Sequence, residues 1–460
     1  MATGRFAAAR SRLFNDYGML LGLLVLCAFF TAATWEEYAP SGAAAGRDAA
    51  AAVVRAHGAA ASVLIVTGGG DESAAFAAAC KEALEAGGAT VLRVAAGDPI
   101  AVRPVLEEIA RGATKIDAIV ATADVAAWSL FDNLGAKFPA LAGVPVVTPP
   151  KHSWPTFLTM RNLRNIIDQI VIIAVLAIGM TMVIITGGID LSVGRLIALS
   201  GVVTTLLIRD HAGGYDAQPF GMVLCCAGGI AVCAGVGAFS GVMVTFCRIP
   251  PFIVTLAMML VAEGAAYLLS HGQSVYQVPP TFAWLDRGSL VGDIPNAVVL
   301  LAVLYAIAHV VMTRTTFGRY IYAVGGNSEA ARLSGVRVWS VLLAVYTLCG
   351  AFAGLGGVIT ASQIISGDPK AGNMYELYTI AAVVVGGTSL AGGEGKILGT
   401  LIGAFIIAVI GNGMVLTGVE SYTQKIVVGL VILGAVLLDA LKKRGFGRGV
   451  GRSFLPAPRP

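Results

Sequence analysis

Charge is what this 460-residue sequence has least of: Lys, Arg, Asp and Glu together make up 13% of it. A water-soluble globular domain carries about 25%, so a wholly soluble protein is excluded. Metal-ligand spacing is missing too. Cys27, Cys80, Cys225, Cys226, Cys233, Cys247 and Cys349 lie mostly in apolar runs, where they read as packing residues. Cys80 stands alone in its segment, so no structural disulfide is expected there. Nor is there a nucleotide loop. Gly392-Gly393-Glu394-Gly395-Lys396-Ile397 approaches one, but Ile397 stands where Ser or Thr is needed and Leu390 where the first glycine belongs. No hydrolase triad or metal cluster stands out. An enzyme acting alone is therefore not expected, and neither are catalytic, metal-binding or cofactor-binding residues.

What is present is apolar length. Hydrophobic residues make up 57% of the chain, and mean hydropathy is +0.80. A membrane-crossing helix needs about 20 mostly apolar residues. Ten runs qualify: 17–33, 163–186, 191–208, 220–246, 252–270, 297–312, 338–361, 375–390, 397–416 and 422–441. The expected fold class is thus an all-α polytopic membrane protein of about ten transmembrane helices. The even number puts both termini on one side. Arg5, Arg10 and Arg12 precede the first run; Lys442, Lys443, Arg444 and Arg448 follow the last. Arg314, Arg319, Arg332 and Arg337 crowd one connection, with Arg248 in a short one. All fall on the same side, and Lys and Arg gather in cytoplasmic loops, so both termini are expected inside. This bias explains the net charge of +4. The basic tail at 443–460 needs only anionic lipid as a partner, and no nucleic acid. The first run also resembles a secretory signal, but the core needs it to keep its amino terminus inside, so an uncleaved anchor at 17–34, behind a cytoplasmic tail at 1–16, is expected.

Between the first two runs, residues 35–160 have soluble character and fall outside the cytoplasm in this topology. An Ala/Gly-rich linker is expected at 40–52. Beyond it, strand patterns at 62–67, 90–94, 118–122 and 144–148 alternate with helical ones at 72–86, from Asp98-Pro99 onward, and at 125–138. Asp98 can cap the second of these helices. Such alternation makes a small parallel sheet covered by helices. Gly68-Gly69-Gly70 follows the first strand, where ligands often sit, though tight-turn chemistry explains it equally well. The order of elements, with Ile116-Asp117-Ala118-Ile119-Val120 and Gly143-Val144-Pro145-Val146-Val147, resembles one lobe of the periplasmic sugar-binding proteins. A single lobe implies a docking or spacing element.

Two short stretches about two hundred residues apart match. Gly187-Gly188-Ile189-Asp190-Leu191-Ser192-Val193-Gly194 and Gly386-Gly387-Thr388-Ser389-Leu390-Ala391-Gly392-Gly393 both read G-G-x-x-L-x-x-G. Each follows a Val/Ile-rich run and precedes an apolar helix. Glycine pairs interrupting apolar runs at matching places point to an internal repeat with a translocation pathway at its interface; close packing through small residues is the plainer reading. Candidate pathway residues are Gly187, Gly188, Asp190, Ser192, Gly386, Gly387, Thr388 and Ser389. A carboxylate in apolar sequence either caps a helix or faces a cavity, and both roles stay open for Asp190. The hydroxyls suit an uncharged, hydrogen-bonding substrate.

Residues 161–442 resemble the permease subunits of bacterial ribose- and xylose-type ABC importers. The resemblance rests on Gly179-Met180-Thr181 through Gly194, on 316–336 (TFGRYIYAVGGNSEAARLSGV) and on 381–418. It implies a homodimer of permeases, a cytoplasmic ATP-binding subunit, a soluble periplasmic sugar-binding protein, and import of a monosaccharide such as ribose or xylose across the bacterial inner membrane. The segment with Arg319, Asn327, Glu329, Ala330, Ala331, Arg332, Ser334 and Gly335 resembles the coupling helix that engages the ATPase. Two departures stand out: the long insert, and Glu263 where the family commonly has arginine. The alternative is a membrane sensor or self-contained transporter whose insert binds ligand. A self-contained transporter should carry more intramembrane titratable groups than Asp190, Glu263 and Glu376, and no output domain marks a sensor.

Overall fold

The computed structural model describes residues 2–38, 40–112, 115–150, 152–292 and 294–450. The last ten residues of the expected basic tail lie outside the described residues. The chain forms two compact units, one of residues 31–158 and one that combines 1–30 with 159–460.

In the smaller unit, β1 (Trp35–Tyr38) is followed by α2 (Ala43–His57), β2 (Ser62–Thr67), α3 (Asp71–Ala86), β3 (Thr90–Ala96), α4 (Pro99–Arg111) and β4 (Ala118–Ala121). The short helices α5 (Ala123–Ala126) and α6 (Leu134–Lys137), then β5 (Val146–Val147) and β6 (His152–Pro155), complete it; α1 (Ala2–Ala33) leads in from the other unit. Strands β3-β2-β4-β5 form one parallel sheet in that order. Its central strands are apolar on both faces because each face is covered. Val63, Ile65 and Val120 face Phe76, Cys80 and Leu84, while Leu64, Val66 and Ile119 face Val102 and Leu106. Burial pushes the Cys80 thiol up to about 12, which leaves it protonated and unreactive at neutral pH. Asp98 caps α4, accepting the Ala101 N–H at 2.8 Å. Asp117 accepts the Ser62 N–H at 2.9 Å, and this bond holds its carboxyl below the ordinary range.

Two expectations change here, and one pairing is new. The 40–52 stretch is not a linker but most of α2, which buries Ala45, Gly46, Ala49, Ala50 and Val53. A side chain at Gly46 would overlap the Phe76 carbonyl, so glycine lets α2 lie directly on α3. The helix expected over 125–138 is two single turns separated by turn residues, with Asn133 in the left-handed region at φ 52°. Neither of its halves has the length to propagate as a helix. Finally, β1 and β6 pair antiparallel, and Trp35 Nε1 donates to Ser153 Oγ at 2.6 Å, so the entering and leaving chains are tied together.

The larger unit is a helical bundle. It contains α1 up to Phe30, then α7 (Met160–Ile185), α8 (Val193–His211), α9 (Pro219–Thr245), α10 (Pro251–Leu269), the short α11 (Trp284–Arg287) and α12 (Asn296–Arg314). α13 (Thr316–Gly326), α14 (Ser328–Leu333), α15 (Val338–Ile364), α16 (Tyr375–Val385), α17 (Ile397–Leu416) and α18 (Ser421–Val450) follow. Among the described residues, six of these, α7, α9, α10, α12, α15 and α17, are long and apolar enough to cross a membrane. α16 has 11 residues, about 16 Å at 1.5 Å per residue, roughly half a bilayer core. The apolar run at 375–390 therefore ends early, at Val385.

α7 sits at the centre. Every residue from 170 to 185 is buried, as expected of a helix that is apolar all round. Around it pack α12, α15, α16 and α17. Hydrogen bonds join the helices where the hydrophobic effect between them is weak. Thr181 Oγ1 meets Thr400 Oγ1 at 2.8 Å, Tyr305 donates to the Ala174 carbonyl at 3.0 Å, and Ser200 donates to the Gly354 carbonyl at 2.7 Å.

Candidate functional site

Both glycine pairs end helices in the same way. At the end of α7, Gly187 adopts φ 81°; its N–H donates to the Ile184 carbonyl at 2.9 Å and the Gly188 N–H donates to Val183 at 3.0 Å. At the end of α16, Gly387 adopts φ 83°, with Gly387 N–H to Val384 at 2.9 Å and Thr388 N–H to Val383 at 3.1 Å. This paired closure needs a left-handed residue just past the helix, where glycine carries no Cβ penalty. The structural equivalence is displaced by one from the written motif. Gly187 corresponds to Gly387, and Gly188 to Thr388. The exits differ as well, because α8 begins at Val193 and α17 only at Ile397.

The four candidate polar side chains are enclosed. Asp190 and Ser192 are 0% exposed, and Thr388 and Ser389 nearly so. Asp190 Oδ1 accepts the Ser192 N–H at 2.9 Å and the Ser192 hydroxyl at 2.6 Å, which turns the chain into the first turn of α8. A Cβ at Gly188 would overlap the Tyr346 hydroxyl, so Gly188 is where α15 closes on this turn. Asp190 Oδ1 thus holds this turn, while its Oδ2 is buried without a hydrogen-bond partner.

The two breaks meet. The Gly393 N–H donates to the Ile185 carbonyl at 2.8 Å, so the loop after α16 caps the end of α7. α13 completes the junction: Tyr322 donates to the Gly395 carbonyl at 2.8 Å, and Gly325 lies against the Ile185 carbonyl and the Gly393 nitrogen. No side chain larger than hydrogen fits there.

From this junction the chain passes at once into α14. Asn327 caps it, accepting the Ala330 N–H at 2.9 Å. Gly335, at φ 88°, ends it with the same paired closure, Gly335 N–H to Arg332 and Val336 N–H to Ala331, each at 3.0 Å. Ser334 is the residue between. Of this helix only Ala331 is buried; Ala330, Glu329 and Arg332 are exposed, the last two forming an ion pair at 2.9 Å. Leu333 is 79% exposed, and Arg319 is exposed on α13.

A charge site went unassembled in the sequence. Glu263 on α10 pairs with Arg195 on α8 at 3.4 Å, and Arg195 also donates to Asn373 Oδ1 at 3.0 Å. Glu263 stands out in the sequence, but its partner lies 68 positions away, and no local pattern links the two.

A broken-helix bundle with an exposed short helix seated on the breaks is the architecture of a transport permease. The chain belongs to the family described as branched-chain amino acid transport system / permease component, whose model matches residues 162–436. It is a multi-pass inner-membrane permease component and not an enzyme. Among curated proteins it is 43% identical over 293 residues to the ribose import permease protein RbsC of Escherichia coli K12, covering 63% of this chain and 88% of that one. RbsC of Bacillus subtilis is 41% identical over 290 residues, covering 63% and 87%. The xylose transport system permease protein XylH of E. coli K12 is 34% identical over 355 residues, covering 64% and 88%. No solved structure matches the chain. The family match begins after the α/β unit, so that unit lies outside it.

Proposed function

We propose that this chain is the membrane-spanning subunit of an ATP-driven importer that carries a neutral monosaccharide, such as ribose or xylose, inward. It works as one of two identical permease copies with a cytoplasmic ATP-binding subunit and a soluble periplasmic sugar-binding protein. The observation that carries this reading is the junction at Gly325, where the exposed α14 is joined through α13 to both helix breaks. Movement imposed on α14 by an ATPase reaches the bends directly. Relatives named as ribose and xylose permeases support the sugar class. No named relative favours the sensor or self-contained transporter.

In this reading the chain crosses the membrane about ten times around an internal repeat. Four further passages, α1, α8, the half-length α16 and α18, complete the six long spans. The two termini and α14 are cytoplasmic, and 31–158 is an extracytoplasmic lobe that meets the incoming binding protein. Gly187, Gly188, Asp190, Ser192, Gly386, Gly387, Thr388 and Ser389 shape the pathway's walls by bending helices, while Arg319 and 327–335 form the ATPase seat. In a background without the exposed Cys247, Glu82→Cys should react with a membrane-impermeant thiol reagent on intact cells whose outer membrane has been opened. Ser328→Cys should react only after permeabilisation. Reaction of both from the same side removes this topology.

A further inference from the structure

The polar side chains of the glycine motifs are enclosed, whereas another polar cluster is partly open. Thr255 on α10 bonds the Ile189 carbonyl at 3.1 Å, and Glu263, eight residues further along the same helix, pairs with Arg195 at 3.4 Å. Eight residues of helix rise about 12 Å. The chain from 189 to 195 therefore climbs about 12 Å along α10, and Glu263 lies about two-thirds of the way along this 19-residue span. Asn373 accepts from Arg195 at 3.0 Å, and Glu376, in the first turn of the half-length α16, comes within electrostatic reach of Arg195 and Glu263.

Contacts within the fold leave part of this cluster unpaired. Glu376 is 9% exposed, its Oε2 has no hydrogen-bond partner, and it lies against Gly194, beside Arg195. Arg195 Nε is also unpartnered, while the Arg195 and Glu263 side chains are 15% and 31% exposed and Asn373 is exposed. Charges inside a span almost always face a cavity or a partner and not lipid, so this face borders water, substrate or the second permease copy.

We propose that Arg195, Glu263, Asn373 and Glu376 form a polar station along the translocation pathway, holding a neutral polyol through its hydroxyl groups. The inference rests on the importer reading above. Guanidinium and amide nitrogens donate, carboxylates accept, and adjacent sugar hydroxyls do both. Two carboxylates against one guanidinium leave a negative surplus, which disfavours anionic sugars such as sugar phosphates and sugar acids. It also explains the acidic residue at position 263: there it sets the orientation of Arg195.

The test uses the whole complex in vesicles, reading sugar uptake and ATP hydrolysis together. Glu263→Gln and Asn373→Ala should each lower sugar carried per ATP hydrolysed by about tenfold, the size of effect expected for losing a hydrogen bond to a charged group. The exchange Arg195→Glu with Glu263→Arg keeps an ion pair but inverts the donors, and should stay impaired. Full rescue by that exchange means a structural ion pair and overturns the station. So does an unchanged sugar-to-ATP ratio in the single variants. Absence of uptake with the wild-type chain would instead remove the importer reading itself, and the station with it.

Discussion

Gly325→Val is expected to reduce sugar uptake by at least about tenfold, among the largest effects of any single substitution in this chain. A Cβ there overlaps the Ile185 carbonyl and comes 2.7 Å from the Gly393 nitrogen. Both neighbours are backbone, so no side chain can rotate away. Relief requires parting the Gly393–Ile185 hydrogen bond of 2.8 Å. An enclosed N–H left unpaired costs about 1–3 kcal/mol, and overpacking adds about 1–3 kcal/mol. The neighbouring Gly326 supplies the control. Its Cβ would meet nothing within 4 Å, so Gly326→Ala should transport normally. Uptake is measured with the amount of assembled complex held equal. Equal activity in both variants would show that the junction does not transmit movement.

Substitution in α14 should separate ATP hydrolysis from transport. Gly335 holds φ 88°, where a β-branched residue costs about 1–2 kcal/mol. Gly335→Val therefore loosens the closure that ends the helix. Arg332→Glu replaces the ion pair to Glu329 with a like-charge pair three residues apart and reverses the sign of an exposed head. Because α14 buries only Ala331, neither change should hinder membrane insertion. Each should cut sugar-stimulated ATP hydrolysis about tenfold if the ATPase contact is worth about 1.4 kcal/mol at this helix. Stimulation at the wild-type level in both variants would place the ATPase contact elsewhere.

Much of this architecture is visible in residue order, for local reasons. β2 and β4 are continuous apolar runs because both faces of their sheet are covered, and Asp98-Pro99 announces α4. Asn327 and Gly335 mark the two ends of α14 because capping is read within one helical turn. Features that depend on distant partners are hidden. α2 hides in Ala/Gly-rich sequence: its stripe of Ala45, Ala49 and Val53 has helical spacing, but methyl groups give a weak periodic signal. The β1–β6 ribbon pairs residues more than a hundred positions apart. Matched letters also misplace the glycine equivalence by one, since only the hydrogen bonds show which glycine adopts the left-handed conformation. Arg195 follows the first motif directly, yet its meaning appears only when α10 is beside it.

The central claim is that helix bends joined to an exposed α14 carry a neutral sugar at the expense of ATP. It is tested most directly in vesicles containing this chain and its ATP-binding subunit, with binding protein and labelled sugar on the outer face and ATP enclosed. Sugar should accumulate only when ATP, the ATP-binding subunit and the binding protein are all present, and collapsing proton and sodium gradients should leave the rate unchanged. Accumulation without ATP, or loss of it on gradient collapse alone, would contradict the claim.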